Sequence, residues 1–134
     1  MSSPTAKIVS LVVYAKDMRT VARFYAELLE LNEVETASDF VLLERQSIEI
    51  SVVAIPQTLA SSVEISSPPT IREDTPLKFS FMVMNLRQAA DRARSAGGSF
   101  KPLEQAWSWR GMRHLDGHDP EGNVVQLREL ASDA

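Results

Sequence analysis

His118-Asp119-Pro120-Glu121-Gly122-Asn123-Val124-Val125-Gln126-Leu127 is a tight turn that feeds a strand. Pro120 suits the second turn position, Gly122 supplies a permissive backbone, and Asn123 tolerates unusual dihedrals ahead of the β-branched run. Taken alone the segment says only hairpin. Upstream, residues 77–84 form a strand-like apolar run, Asn85 is a cap candidate, and Leu86, Ala89, Ala90, Ala93 and Ala96 make a helical stripe that ends at Gly97-Gly98. Residues 99–106, 111–115 and 123–130 read as three further strands.

The same order of elements occurs earlier in the chain. Residues 7–15 are β-branched and too short for a helix, and Asp17 caps a helix with Met18, Val21, Ala22, Tyr25, Leu28 and Leu29 on one face. That helix stops near Leu31-Asn32, and strands follow over 33–37, 40–45 and 47–55. The two strand-to-helix units repeat with an offset of about 69 residues, which reads as a duplicated βαβββ module. The fold class is therefore α+β. It is one domain spanning 1–134, with a first module over 7–55, a connector over 56–76 and a second module over 77–131. Pro68-Pro69, serines at 61, 62, 66 and 67, and Arg72-Glu73-Asp74 make the connector a loop that joins the modules or forms a lid. Each module alone leaves one sheet face bare, so two modules or two chains must combine to bury it.

Composition narrows the function classes. A chain of 134 residues with 44% hydrophobic and 24% charged residues has enough length to bury roughly 65–70% of its unfolded surface. The absence of cysteine excludes disulfides, thiolate metal sites and a Cys nucleophile, with a lean toward the cytosol. The Met-Ser-Ser-Pro-Thr-Ala start lacks the basic and apolar stretches of a secretory signal, and no apolar run approaches the roughly 20 residues that span a bilayer. The expectation is a soluble cytoplasmic protein. A net charge of −4 gives no electrostatic footprint for nucleic acid. There is no Gly-rich phosphate loop, no helical His-Glu-x-x-His and no nucleophile elbow.

The Asp-Pro-Glu-Gly-Asn turn, the Asp17-Met18 helix opening that leads to Phe24-Tyr25, the Gly97-Gly98 helix end and the duplicated module together resemble the glyoxalase, bleomycin-resistance and extradiol dioxygenase superfamily, also called vicinal oxygen chelate proteins. The resemblance covers nearly the whole chain. It implies paired modules that curl sheets around a ligand cavity, in a homodimer that completes its cavities between subunits. It also implies four metal-ligand places, which align here with Ser10, Glu49, Lys78 and Gln126. Only Glu49 fits a metal. A serine hydroxyl is feeble, a glutamine carbonyl is weak and a lysine ammonium repels a dication, so the expectation is no metal and no cofactor. His114 and His118, on an extended segment, would stand about 13 Å apart, too far to share one ion, and read as surface or turn-proximal residues.

Period-two spacing groups Ser10, Val12 and Tyr14; Glu49 and Ser51; Lys78, Ser80, Met82 and Met84; and Gln126 and Arg128. If the resemblance holds, these are cavity faces, with Glu49 and Lys78 paired across the cavity. Trp107 and Trp109 point the same way and, with nearby Tyr14, form a stacking wall for a planar or cationic ligand. Met82, Met84 and Met112 make the pocket adaptable, and Arg110, Arg113 and Arg128 are candidates to receive a carboxylate. The candidate ligand-binding set is thus Ser10, Tyr14, Glu49, Lys78, Met82, Trp107, Trp109, Gln126 and Arg128. The expected function is metal-independent binding of a small molecule, as in bleomycin-resistance-type sequestering proteins, with neither nucleic acid nor membrane as a partner. The alternative is a lyase- or dioxygenase-type enzyme with a degenerate metal site, or one that uses Lys78 as a base.

Overall fold

The computed structural model describes residue 7 and residues 9–131. The first six residues, read above as lacking a secretory signal, and Ile8 of the first expected strand lie outside that range. The first module runs β1 (Ser10–Ala15), α1 (Met18–Leu29), β2 (Asn32–Thr36), β3 (Phe40–Arg45) and β4 (Ile48–Ala54). After the helical turn α2 (Gln57–Ala60) come β5 (Phe79–Met82), α3 (Leu86–Ser95), β6 (Ser99–Phe100), β7 (Trp107–Trp109), β8 (Met112–His118) and β9 (Val124–Leu130). Both helix starts are local. Asp17 Oδ1 accepts the Thr20 N–H at 3.2 Å and Asn85 Oδ1 accepts the Gln88 N–H at 2.9 Å, satisfying amides that the first helical turn leaves without partners.

The duplication is visible in the strand pairing. Sheet one has the order β1-β4-β3-β2 and sheet two the order β5-β9-β8-β6, with β7 on β8. The first strand of each module lies parallel to its last strand, and the other pairs are antiparallel. Together the strands and helices form a mixed α+β fold whose sheets do not close into a barrel.

Each sheet buries one face. Ala15, Val41, Leu43, Ile50 and Val52 are sealed in the core with Val21, Phe24 and Leu28 of α1, and Phe81, Val83, Leu115, Val125 and Leu127 with Leu86, Ala89 and Ala93 of α3. At about 25 cal/mol per Å² this apolar burial is the main favourable term in folding. The two helices also pack against each other, so they form the seam between modules and leave the opposite face of each sheet open. Gly98 sits at this seam. A Cβ there would run into the Phe24 ring and the His118 carbonyl, so only glycine lets the second module approach α1.

The 119–123 turn works as a clasp. Gly122 N–H donates to the Asp119 carbonyl at 3.0 Å with Pro120 in the second position, as its sequence implied, and Gly122 takes φ 88°. The Asp119 carboxylate is fully buried. Its Oδ1 accepts the N–H groups of Glu121 (2.9 Å) and Asn123 (3.0 Å), and its Oδ2 accepts Asn123 Nδ2 and the Tyr25 hydroxyl, both at 2.8 Å. Asn123 therefore contributes through hydrogen bonds; its φ is not positive. Burial, then the neighbouring Asp119 charge and the hydrogen bond to it, push the Tyr25 phenol well above its ordinary range. Glu121 reaches further still: its carboxylate accepts the N–H groups of Lys16 at 2.9 Å and Asp17 at 2.6 Å, holding the start of α1 from the other module.

Two expectations in the second module need correction. The strand expected over 99–106 ends after Phe100, because Pro102 has no N–H for a ladder, and residues 103–105 turn as a 3-10 helix. The tryptophan segment is instead a strand of its own. It folds onto β8 through Arg110 and Gly111, both at positive φ (52° and 77°), the signature of a tight hairpin turn.

Candidate ligand-binding face

The open face of sheet two is an ordered grid. The ladders place Trp107 opposite His114, His114 opposite Arg128, and Arg128 opposite Met82, a row across four strands. One step along the strands lie Asp116, Gln126 and Ser80, again directly paired. On the other side come Trp109, Met112 and Leu130. Thus Lys78, Met82, Trp107, Trp109, Gln126 and Arg128 of the expected set share one face.

The electrostatics differ from the expectation at the centre. Lys78 Nζ donates to Asp116 Oδ2 at 3.0 Å, and Gln126 Nε2 donates to Asp116 Oδ1 at 3.0 Å. The Glu49–Lys78 pair is therefore not formed among the described residues; Asp116, two strands from Lys78 in the same sheet, takes its place. A partner in the same sheet needs no approach of the modules, and Lys78 together with Gln126 places a donor on each carboxylate oxygen. Ser10 and Glu49 are direct cross-strand neighbours in sheet one, with Tyr14 four residues further along β1 on the same face. Tyr14 is 64% exposed and, among the described residues, stacks with neither tryptophan because it belongs to the other sheet.

His114 is likewise not a surface residue. Only 5% of it is exposed, since the Trp107 ring stacks over it (centroids 5.5 Å apart, planes at 18°) and Trp109 leans on it at 5.8 Å. The indoles themselves remain 42% and 61% exposed. Two polar atoms buried in this sheet, His114 Nδ1 and Ser80 Oγ, have no hydrogen-bond partner among the described residues. Of the arginines, Arg113 pairs with Glu129 at 3.2 Å and Arg110 lies 5.4 Å from the Trp109 ring centre. Arg128 has no carboxylate within ion-pair distance among the described residues, and its guanidinium meets Met112 Sδ at 3.6 Å.

The connector covers one end of this face. Arg72 N–H donates to the Gly122 carbonyl at 2.8 Å, and residues 71–77 run beside β6 and β8 to enclose a cleft of about 460 Å3. Asp116, His118, Ser99 and Lys101 line it with Lys78. Sequence reasoning placed Ser80 on a cavity face but missed Asp116 and His114 as members of the site. It ended the strand at 115, whereas the pairing with β9 runs on to His118. The alternation of 114, 116 and 118 opposite 128, 126 and 124 was the signal that places them.

Comparison with known proteins identifies the family. A model of the glyoxalase-like domain matches residues 10–128. The chain belongs to the glyoxalase-like domain family. No curated protein matches it. Among solved structures, the glyoxalase-like chain is similar to a glyoxalase/bleomycin resistance protein/dioxygenase family enzyme from Burkholderia phytofirmans, at 20% identity and a TM-score of 0.66 over 94% of this chain and all of the other. It is also similar to a glyoxalase-related enzyme from Fulvimarina pelagi (15% identity, TM-score 0.64, 93% of this chain and 88% of the other). A third is the fosfomycin resistance protein FosX from Listeria monocytogenes (14% identity, TM-score 0.63, 98% and 96%). At these identities the likeness is one of fold.

The metal that the superfamily resemblance implies does not fit this glyoxalase-like chain. Of the four aligned places, one carries an ammonium whose Nζ is tied to Asp116, one an amide whose Nε2 is tied to the same carboxylate, and one a serine. Among the described residues no three His, Asp or Glu side chains are arranged to hold an ion. Hard and borderline dications need carboxylate or imidazole donors, which the sheet-two half of the arrangement does not offer.

Proposed function

We propose that this chain binds a small molecule without a metal ion on the open face of sheet two, and that a second copy completes the cavity by covering exposed apolar side chains such as Val12, Met82 and Trp109. One observation carries the reading: Lys78 and Gln126, at two of the aligned metal places, both donate to Asp116, so that part of the face presents a neutralised polar network. Structures of like fold include a fosfomycin resistance protein and a glyoxalase/bleomycin resistance protein/dioxygenase family enzyme, so the fold itself is compatible with a small-molecule site. A lyase reading with Lys78 as base meets the difficulty that its Nζ is already engaged by Asp116.

Metal analysis of the purified protein, with calorimetric titration of zinc, manganese and nickel, is expected to find no stoichiometric ion; one equivalent bound near Glu49 and Gln126 would overturn the proposal. A thermal-shift screen of glycopeptide antibiotics, aromatic ions and thiol conjugates should produce hits. Lys78→Met is expected to weaken those hits several-fold while changing stability by less than about 1 kcal/mol, because the half-exposed Lys78–Asp116 pair contributes little to folding. The reverse pattern would reject a binding role for Lys78.

A further inference from the structure

We propose that the face selects a planar aromatic anion, with Arg128 receiving the carboxylate and the Trp107 and Trp109 indoles covering the ring. This rests on the ligand-binding reading above and adds the chemical class.

Charge decides the sign. Aromatic faces attract cations, and both indoles already have one: Lys78 Nζ stands 5.9 Å from the Trp107 ring centre and the Arg110 guanidinium 5.4 Å from that of Trp109. A cationic ligand would compete with these groups and be repelled by Arg128, which sits between His114 and Met82 in the central row. Asp116, the carboxylate of this grid, is already ion-paired with the Lys78 ammonium and hydrogen-bonded by Gln126, so the pair offers a cation no net negative charge. What remains is the Arg128 guanidinium, which has no carboxylate partner among the described residues and whose planar fork of donors matches a carboxylate.

The unpartnered atoms point the same way. Buried polar groups nearly always have partners, and among the described residues Ser80 Oγ and His114 Nδ1 lack one. Both belong to the open face and flank Arg128, His114 directly across the ladder and Ser80 on the diagonal. A carboxylate at Arg128 can accept a further hydrogen bond from the Ser80 hydroxyl. The His114 ring is roofed by two half-open indoles, which a flat ligand can displace or extend as a stack.

The test is calorimetric titration with 2-naphthoate, its neutral amide 2-naphthamide and the cation 2-naphthylmethylammonium. Wild type should bind naphthoate at least tenfold more tightly than either analogue. Arg128→Gln should erase that preference while leaving the naphthamide affinity unchanged, Arg128→Lys should retain part of it, and Trp109→Ala should weaken acid and amide alike. Arg94→Gln, the same charge change on the outer face of α3, should alter nothing. Urea midpoints establish that each variant is folded; if Arg128→Gln is not, Arg128→Lys decides, and an unchanged preference there overturns the assignment. Equal or tighter binding of the amide or ammonium by wild type overturns the ligand class, and so does failure of all three probes while the broader screen gives hits; neither touches the ligand-binding reading. Failure of every compound in both experiments removes that reading as well. An Arg128→Gln protein that changes sedimentation but not affinity would assign the arginine to a subunit contact and overturn the proposal.

Discussion

Removing the Glu121 carboxylate tests how the two modules are joined. In Glu121→Ala the N–H groups of Lys16 and Asp17, now held at 2.9 and 2.6 Å, lose their acceptor. Hydrogen bonds to a charged group contribute about 1.5–3 kcal/mol each, and an amide left without a partner costs roughly 1–3 kcal/mol. Lys16 is exposed and water can replace part of its bond, whereas Glu121 is only 4% exposed and its loss also leaves a void. A net loss of about 2–4 kcal/mol follows, a large share of the ~5–15 kcal/mol that holds a typical domain together. For a chain of 134 residues this lowers the melting temperature by roughly 6–16 °C. Glu121→Gln keeps the shape and one acceptor, and its loss should fall between wild type and alanine. Urea unfolding is the assay, with exposed Glu104→Ala as the control expected within about 0.5 kcal/mol of wild type. Because the bond ties residue 121 to the strand-helix junction of the other module, the alanine variant should also show a shallower transition as the modules lose cooperativity. A Glu121→Ala protein within 0.5 kcal/mol of wild type would refute the clasp.

Two further outcomes follow from the same seam. Tyr25 ionises in the folded state only well above its ordinary range, so its contribution to stability is complete below about pH 10 and declines as pH rises toward the folded value. Absorbance at 295 nm should show Tyr25 ionising together with alkaline unfolding, and Tyr25→Phe should remove that step at a cost of about 1–2 kcal/mol at neutral pH; a Tyr25 that ionises freely in folded protein would contradict its burial against Asp119. Gly98→Ala should destabilise by about 3 kcal/mol or more in thermal melts, because neither the Phe24 ring nor the His118 carbonyl can give way cheaply; wild-type stability would show that the seam has slack.

Local chemistry made much of this fold legible in the sequence. The Asp17 and Asn85 caps, the apolar stripes of α1 and α3, the β3 boundaries at 40 and 45 and the 119–122 turn all depend on residues within a few positions of one another. The repeated order of elements was readable for the same reason, and with the turn it pointed to the family that the glyoxalase-like match establishes. Tertiary structure alone decided how distant residues meet. Glu121 reaches Asp17 across 104 positions, and Lys78 reaches Asp116 across 38, displacing the expected pairing with Glu49. Likewise, the burial of His114 depends on a hairpin whose turn places Arg110 at positive φ, a conformation that arginine does not announce. Periodicity assigns a side chain to a face, but a strand carries no record of its neighbours. Which charge is neutralised, and which polar atom stays without a partner, is set only when the sheets assemble.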